Sequence, residues 1–188
     1  VSRSSYRDKD SPSLGKLLED KYGAFYLIPE GGSNVLAVNG CRRIVEELSA
    51  HTQQWDLLVL PVGTGGTIAG VVAGLDGKSD VLGVSVLKGG EFLNDQVNDL
   101  LREVSCRHQN WSINVDFHCG GYARYPDYLR DFIDDFEGET NIELDPVYTG
   151  KMMYAVDQLR NNGEIKPEAR VVAIHTGGLQ GNRGFQKH

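Results

Sequence analysis

The chain has 188 residues, 40% of them hydrophobic and 24% charged, with a formal net charge of -7 at pH 7. That length can bury a sound core in one domain, or one and a fraction. An acidic surface whose only basic cluster is Arg42-Arg43 argues against nucleic-acid or membrane partners. No apolar stretch is long enough to span a membrane, and the N-terminus shows no signal-peptide pattern. Three widely spaced cysteines (Cys41, Cys106 and Cys119) form no C-x-x-C pair, so a reduced, cytoplasmic protein is expected.

The polar start "VSRSSYRDKD" has no initiator methionine and reads either as a trimmed chain or as the middle of a longer one. Residues 12–22 read as a helix with Ser11 as N-cap before Pro12. "AFYLIP" (24–29) is a short apolar run stopped by proline, which predicts a buried strand, and "EGGSN" (30–34) a turn. A helix from 35 to 51 follows, then a strand over 56–62 and the loop "GTGGT" (63–67). A short small-residue helix leads to a strand over 81–87 and an amphipathic helix beginning near 91. "SINVDFH" (112–118) alternates as a strand does. Two helices come next, one from about 125 and one from about 147 that Gly163 ends, before a last strand over 169–175 and "TGGLQGNRG". Strands alternating with helices predict an α/β fold with a mostly parallel sheet flanked by helices. In such a sheet the three glycine-rich turns, each after a predicted strand, all fall on the carboxyl edge where ligands bind.

The loop at 63–67 is not a dinucleotide fingerprint, because Ile68 stands where the third glycine belongs and no acidic residue ends the next strand. "GLDGKSD" (74–80) contains Gly-Lys-Ser, but Val72 occupies a glycine position of a Walker A loop. What remains is a strand, a glycine turn whose N–H groups can face inward, and a helix N-terminus, with hydroxyls from Thr64 and Thr67. This suits a small phosphate monoester; the alternative is a tight turn with glycine for packing.

The loop, taken with its company, resembles the phosphate cradle of pyridoxal-phosphate (PLP) enzymes of the tryptophan synthase β-subunit fold type, fold type II. "YLIPEGGSNVLAVNG" (26–40), "LDPVYTGKMM" (144–153) and "AIHTGGLQG" (173–181) resemble the 1-aminocyclopropane-1-carboxylate deaminase / D-cysteine desulfhydrase family, in family order. The resemblance implies pyridoxal 5'-phosphate as cofactor, a small amino-acid substrate and a homodimer. It implies that Thr64, Gly65, Gly66 and Thr67 hold the phosphate and that Tyr148 lies against the pyridine ring. It further implies that Thr149 bonds the ring nitrogen, that Tyr122 is a second active-site tyrosine, that Asn34 lines the pocket, and that Thr176 and Gly177 close its far wall. Tyr122 is the looser match, since the family follows it with glycine and Ala123 stands here.

Two departures shape the expected function. The deaminases carry glutamate where Thr149 stands; a neutral hydroxyl makes the ring a weaker electron sink. That shifts the implied reaction from cyclopropane ring opening towards β-elimination of the D-cysteine desulfhydrase kind. The family also holds its cofactor on a lysine in a Gly-Asn-Lys-x-Arg-Lys segment, which this sequence lacks. Lys151 is the nearest substitute, but a lysine early in a helix is expected to point to solvent.

The resulting expectation is the C-terminal part of a longer enzyme, incomplete at the N-terminus by about 120–150 residues on the usual domain scale. Residues 1–23 would be a remnant of the smaller domain or a linker and 24–188 the large cofactor-binding domain. The chain alone would be inactive. The contrasting reading is a non-catalytic phosphate- or nucleotide-binding regulatory module. Cys106, His108, His118 and Cys119 lack the spacing of a structural zinc site. Ser33 is read as lining the pocket, His175 as part of its wall, and the acidic run at 131–139 as a solvated helix face.

Overall fold

The computed structural model describes residues 11–51 and 54–185. Its elements in chain order are α1 (Pro12–Tyr22), α2 (Val35–His51), β1 (Leu57–Val62), α3 (Gly66–Leu75), β2 (Asp80–Ser85), α4 (Leu93–Glu103), β3 (Trp111–Asn114), α5 (Asp127–Thr140), α6 (Thr149–Asn161) and β4 (Val171–Ala173). The strands form one parallel sheet in the order β3-β2-β1-β4. The expected α/β architecture is therefore present, with β3 and β4 shorter than their apolar patterns suggested.

β1 is central. Its register sets Leu57 beside Asp80 of β2 and beside Val171 of β4. Alternation along it sends Leu58, Leu60 and Val62 to one face, where they pack with Ile68, Val72, Val97 and Leu101 of α3 and α4. Val59 points the other way and meets Met152, Ala155 and Leu159 of α6. The sheet is thus covered on both faces, as parallel sheets require. A third cluster joins α5 to the rest through Leu129, Ile133, Leu144 and Cys119. The acidic residues Asp131, Asp134 and Asp135 lie on the solvent side of α5, as read from the sequence.

α1 forms where expected, with Ser11 accepting the Leu14 N–H, but it buries no side chain. The buried strand expected at 24–29 does not exist. These residues belong to no ladder, and Tyr26, Leu27 and Ile28 are 69%, 55% and 70% exposed. An apolar run becomes a strand only when another strand supplies partners for its N–H and C=O groups, and none of the described strands pairs with it.

The strand order itself locates a crevice. From β1 the chain moves to β2 and β3 on one side, whereas β4 lies on the other. The loops leaving the carboxyl ends of β1 and β4 therefore diverge, and ligands of open α/β sheets bind in such a gap.

Candidate active site

The loop after β1 turns sharply into α3. Gly65 caps the helix in the left-handed region (φ 81°), and no side chain caps it. Ala69 is the first residue to bond backward, to the Gly65 carbonyl. Among the described residues, the amides of Gly66, Thr67 and Ile68 and the Thr67 hydroxyl find no protein acceptor. These donors sit at the positive end of the helix dipole.

They open into a cavity of ≈ 380 Å³ whose other wall is Tyr148, Thr176, Gly177 and Gly178. Among the described residues no carboxylate lines it. A second cavity of ≈ 570 Å³ adjoins it, sharing Gly31, Gly63, Thr64 and Tyr148, and extends past Ser33, Leu87, Phe92, Gln96 and Tyr122. The turn at 30–33 comes so close that a Cβ on Gly31 would collide with the Thr64 side chain. Ser33 Oγ and Thr64 Oγ1 are 2.7 Å apart and hydrogen-bonded. All three glycine turns thus meet at one edge of the sheet, although the first follows an extended run and not a strand.

Tyr148 stands at the junction of the two cavities, its ring over Gly63. Tyr122 approaches it edge-on, with centroids 6.1 Å apart and planes at 75°. Burial, then the nearby Tyr122 hydroxyl, pushes the Tyr148 phenol up to about 12. Tyr148 is therefore a neutral O–H donor throughout the physiological range, not a tyrosinate.

What holds Tyr148 is Asp145, which sequence reasoning missed. Its buried carboxylate accepts the N–H groups of Val147, Tyr148 and Thr149 at 2.9, 2.7 and 2.9 Å, and the Thr149 hydroxyl at 2.7 Å. It caps the turn that leads into α6, accepting N–H groups as a helix-capping carboxylate does, while Tyr148 occupies the N-cap position itself. The spacing D-x-x-x-T ahead of an apolar-periodic run was the available signal. His175 braces the opposite wall. Its Nε2 donates to the Glu143 carbonyl at 2.9 Å and its Nδ1 accepts the Gly177 N–H at 3.2 Å.

Two expected pocket residues are placed elsewhere. Asn34 lines neither cavity; its Oδ1 accepts the Ala37 N–H at 3.0 Å as the cap of α2, and its Nδ2 donates to the Tyr26 hydroxyl. Ser33 and Gly31 occupy the wall instead. Thr149 is fully buried beneath the 145–149 turn, and its hydroxyl both donates to the Asp145 carboxylate and accepts the Asp145 N–H at 2.9 Å. Lys151 does not point to solvent. It is 0% exposed, donates to the Gly121 carbonyl at 2.7 Å, and burial pushes its ammonium below the ordinary lysine range against the opposing pull of Cys119 and Asp145.

Residues 3–177 match the family described as pyridoxal-phosphate dependent enzyme. The chain belongs to that family. A relative from Pyrococcus horikoshii, named provisionally as a 1-aminocyclopropane-1-carboxylate deaminase, is 30% identical over 83% of this chain and 50% of its own length. The bifunctional D-cysteine desulfhydrase/1-aminocyclopropane-1-carboxylate deaminase of Arabidopsis thaliana, a mitochondrial protein, is 30% identical over 96% of this chain and 49% of its own. The chain spans about half the length of these curated relatives. Among solved structures, an ACC deaminase homologue superposes with a TM-score of 0.81 at 26% identity, over 97% of this chain and 58% of that one. Threonine deaminase isoform 2 from Solanum lycopersicum shares the fold alone, with a TM-score of 0.58 at 16% identity. The fold is thus that of the fold type II enzymes. No helix among the described residues is long and apolar enough to cross a membrane.

Proposed function

We propose that the two joined cavities hold pyridoxal 5'-phosphate and a small D-amino acid, and that the chain is the cofactor-domain part of a D-cysteine desulfhydrase-like lyase. The observation that carries this is the set of amide donors at the start of α3 that, among the described residues, have no partner and open into a cavity lined by no carboxylate, facing Tyr148. The donor set fits a phosphate dianion. When bound, the cofactor supplies an electron sink for the carbanion at the substrate Cα. The overall reaction converts D-cysteine and water to pyruvate, ammonia and hydrogen sulfide.

In this reading the amides of Gly66, Thr67 and Ile68, with the Thr67 hydroxyl, bind the phosphate, and Gly65 makes the turn that presents them. Thr64 is tied to Ser33 and shapes the cradle from the side. Tyr148 walls the ring site, and its neutral hydroxyl serves as a hydrogen-bond and proton donor. Tyr122 stands across from it over the larger cavity, which takes the amino acid. Thr176 and Gly177 close the far wall. Thr149 acts through the Asp145 turn; reaching a ring nitrogen would require its hydroxyl to exchange Asp145 for the new partner.

The test is a pair of titrations of the chain. Pyridoxal phosphate is expected to bind at least about tenfold more tightly than AMP, a difference of about 1.4 kcal/mol. The reverse order would overturn the lyase reading in favour of a nucleotide-binding module. The chain alone is expected to release no pyruvate from D-cysteine, because its one buried lysine among the described residues is engaged by Gly121. Pyruvate formation that Lys151→Met abolishes would overturn that expectation.

A further inference from the structure

A fully buried lysine bonded to one carbonyl is an expensive core residue. An apolar side chain of the same length would fill the space at lower cost, since burying an ammonium without a carboxylate partner is unfavourable. Among the described residues Lys151 has no ion-pair partner, and its single acceptor is the Gly121 carbonyl. Stability therefore does not account for a lysine at this place, and the position of that carbonyl does.

Gly121 immediately precedes Tyr122. The loop around it is strained, with φ of 51°, 92°, 117° and 55° at Cys119, Gly120, Gly121 and Ala123. Non-glycine residues in the left-handed region cost on the order of 1–2 kcal/mol each and persist only where their surroundings enforce them. Within the loop, Gly121 N–H donates to the His118 carbonyl and Arg124 N–H to the Gly121 carbonyl. The bond from Lys151 is the hydrogen bond that ties this turn to α6, beside the packing of Cys119 with Met153 and Tyr154 and of Phe117 on Tyr154. Lys151 lies in the first turn of α6, three residues after Tyr148, so one rigid segment carries both a tyrosine of the cleft and the group that holds the other tyrosine's loop.

We propose that Lys151 is a positioning residue: its ammonium holds the Gly121 carbonyl and so sets Tyr122 edge-on to Tyr148 across the larger cavity. The importance of that pairing rests on reading the cleft as the cofactor and substrate site. The groups facing the ammonium are Cys119 from the loop and Asp145 from the turn before α6; the Cys119 thiol is raised by its own burial.

The experiment is NMR of the chain labelled with [13Cζ]tyrosine, with Tyr122 and Tyr148 assigned through Tyr122→Phe and Tyr148→Phe. In Lys151→Met the protein is expected to unfold at a temperature equal to or above that of the wild type. The Tyr122 signal moves or broadens and the Tyr148 signal shifts, while those of Tyr22 and Tyr26 stay in place. Lys151→Gln, which keeps an N–H donor on a shorter stem, returns Tyr122 part-way. Unchanged Tyr122 and Tyr148 signals in a folded Lys151→Met protein would overturn the proposal. So would displacement of all tyrosines together, or loss of cooperative unfolding in both variants, since the lysine would then hold the core and not the tyrosine. Binding of pyridoxal phosphate by the wild type is measured separately. Failure there removes the functional reading and leaves the Tyr122 displacement as the measure of the strut.

Discussion

Replacing Asp145 by alanine is expected to lower the stability of the chain by about 3–5 kcal/mol, the range for removing a buried charged hydrogen-bond partner. The carboxylate is 3% exposed and accepts three backbone N–H groups and one hydroxyl within a single turn. Alanine leaves the Thr149 donors buried without a partner and those of Val147 and Tyr148 half-buried without one, behind a wall that includes Gly178, whose added Cβ would lie 3.5 Å from the carboxylate carbon. Asparagine should fall between the two. Its one oxygen can serve Val147 and Tyr148, but its amide nitrogen then faces the Thr149 N–H, donor against donor. Urea unfolding of the three proteins checks the order wild type, Asn, Ala. The loss should also appear in the cleft, because the turn that loses its acceptor is the one that sets the Tyr148 ring over Gly63. An alanine variant as stable as the wild type would show that the turn holds itself and that Asp145 is incidental.

Asp145 and Lys151 mark where sequence reasoning stopped. The sheet was legible because β1 combines an unbroken apolar run with a glycine turn and a small-residue helix, a local pattern that permits few alternatives. The edge on which the loops after β1 and β4 gather followed from parallel topology, whereas the turn at 30–33 reaches it without a strand before it. The apolar run at 24–29 misled because a strand is made by its neighbour, and pairing is not written locally. Lys151 misled for a related reason. Charge and helix position favour solvent on average, yet the residue lies on the face of α6 that meets the 118–125 loop, and that contact exists only in three dimensions. Asn34 and Thr149 show a third limit. Motif resemblance selects residues near the cleft but does not say which way a short polar side chain turns. Asn34 turns to the backbone of α2, where it accepts an otherwise open N-terminal N–H, and Thr149 turns to Asp145, donating to its carboxylate and accepting its N–H.

Gly65→Ala is expected to weaken pyridoxal phosphate binding by at least about tenfold, or about 1.4 kcal/mol. Two effects combine at this position. The backbone has φ 81°, where an L side chain is strained by about 1–2 kcal/mol. A Cβ there would also stand 2.7 Å from Cγ2 of Val97, a core residue of α4 with 0% exposure that has little room to yield. The loop must move outward, towards the cavity, carrying the Gly66 and Thr67 amides off the point where they converge. Gly32→Ala separates the two effects. Its φ of 67° imposes similar strain, but nothing lies within 4 Å of the added carbon and it lines neither cavity. Both variants should lose about 1–2 kcal/mol from backbone strain in urea unfolding. Only Gly65→Ala should lose affinity, followed by the change in cofactor absorbance on titration. Equal affinities in the two folded variants would mean that the donors at the start of α3 do not hold the phosphate, and the function proposed for the cleft would lose its physical basis.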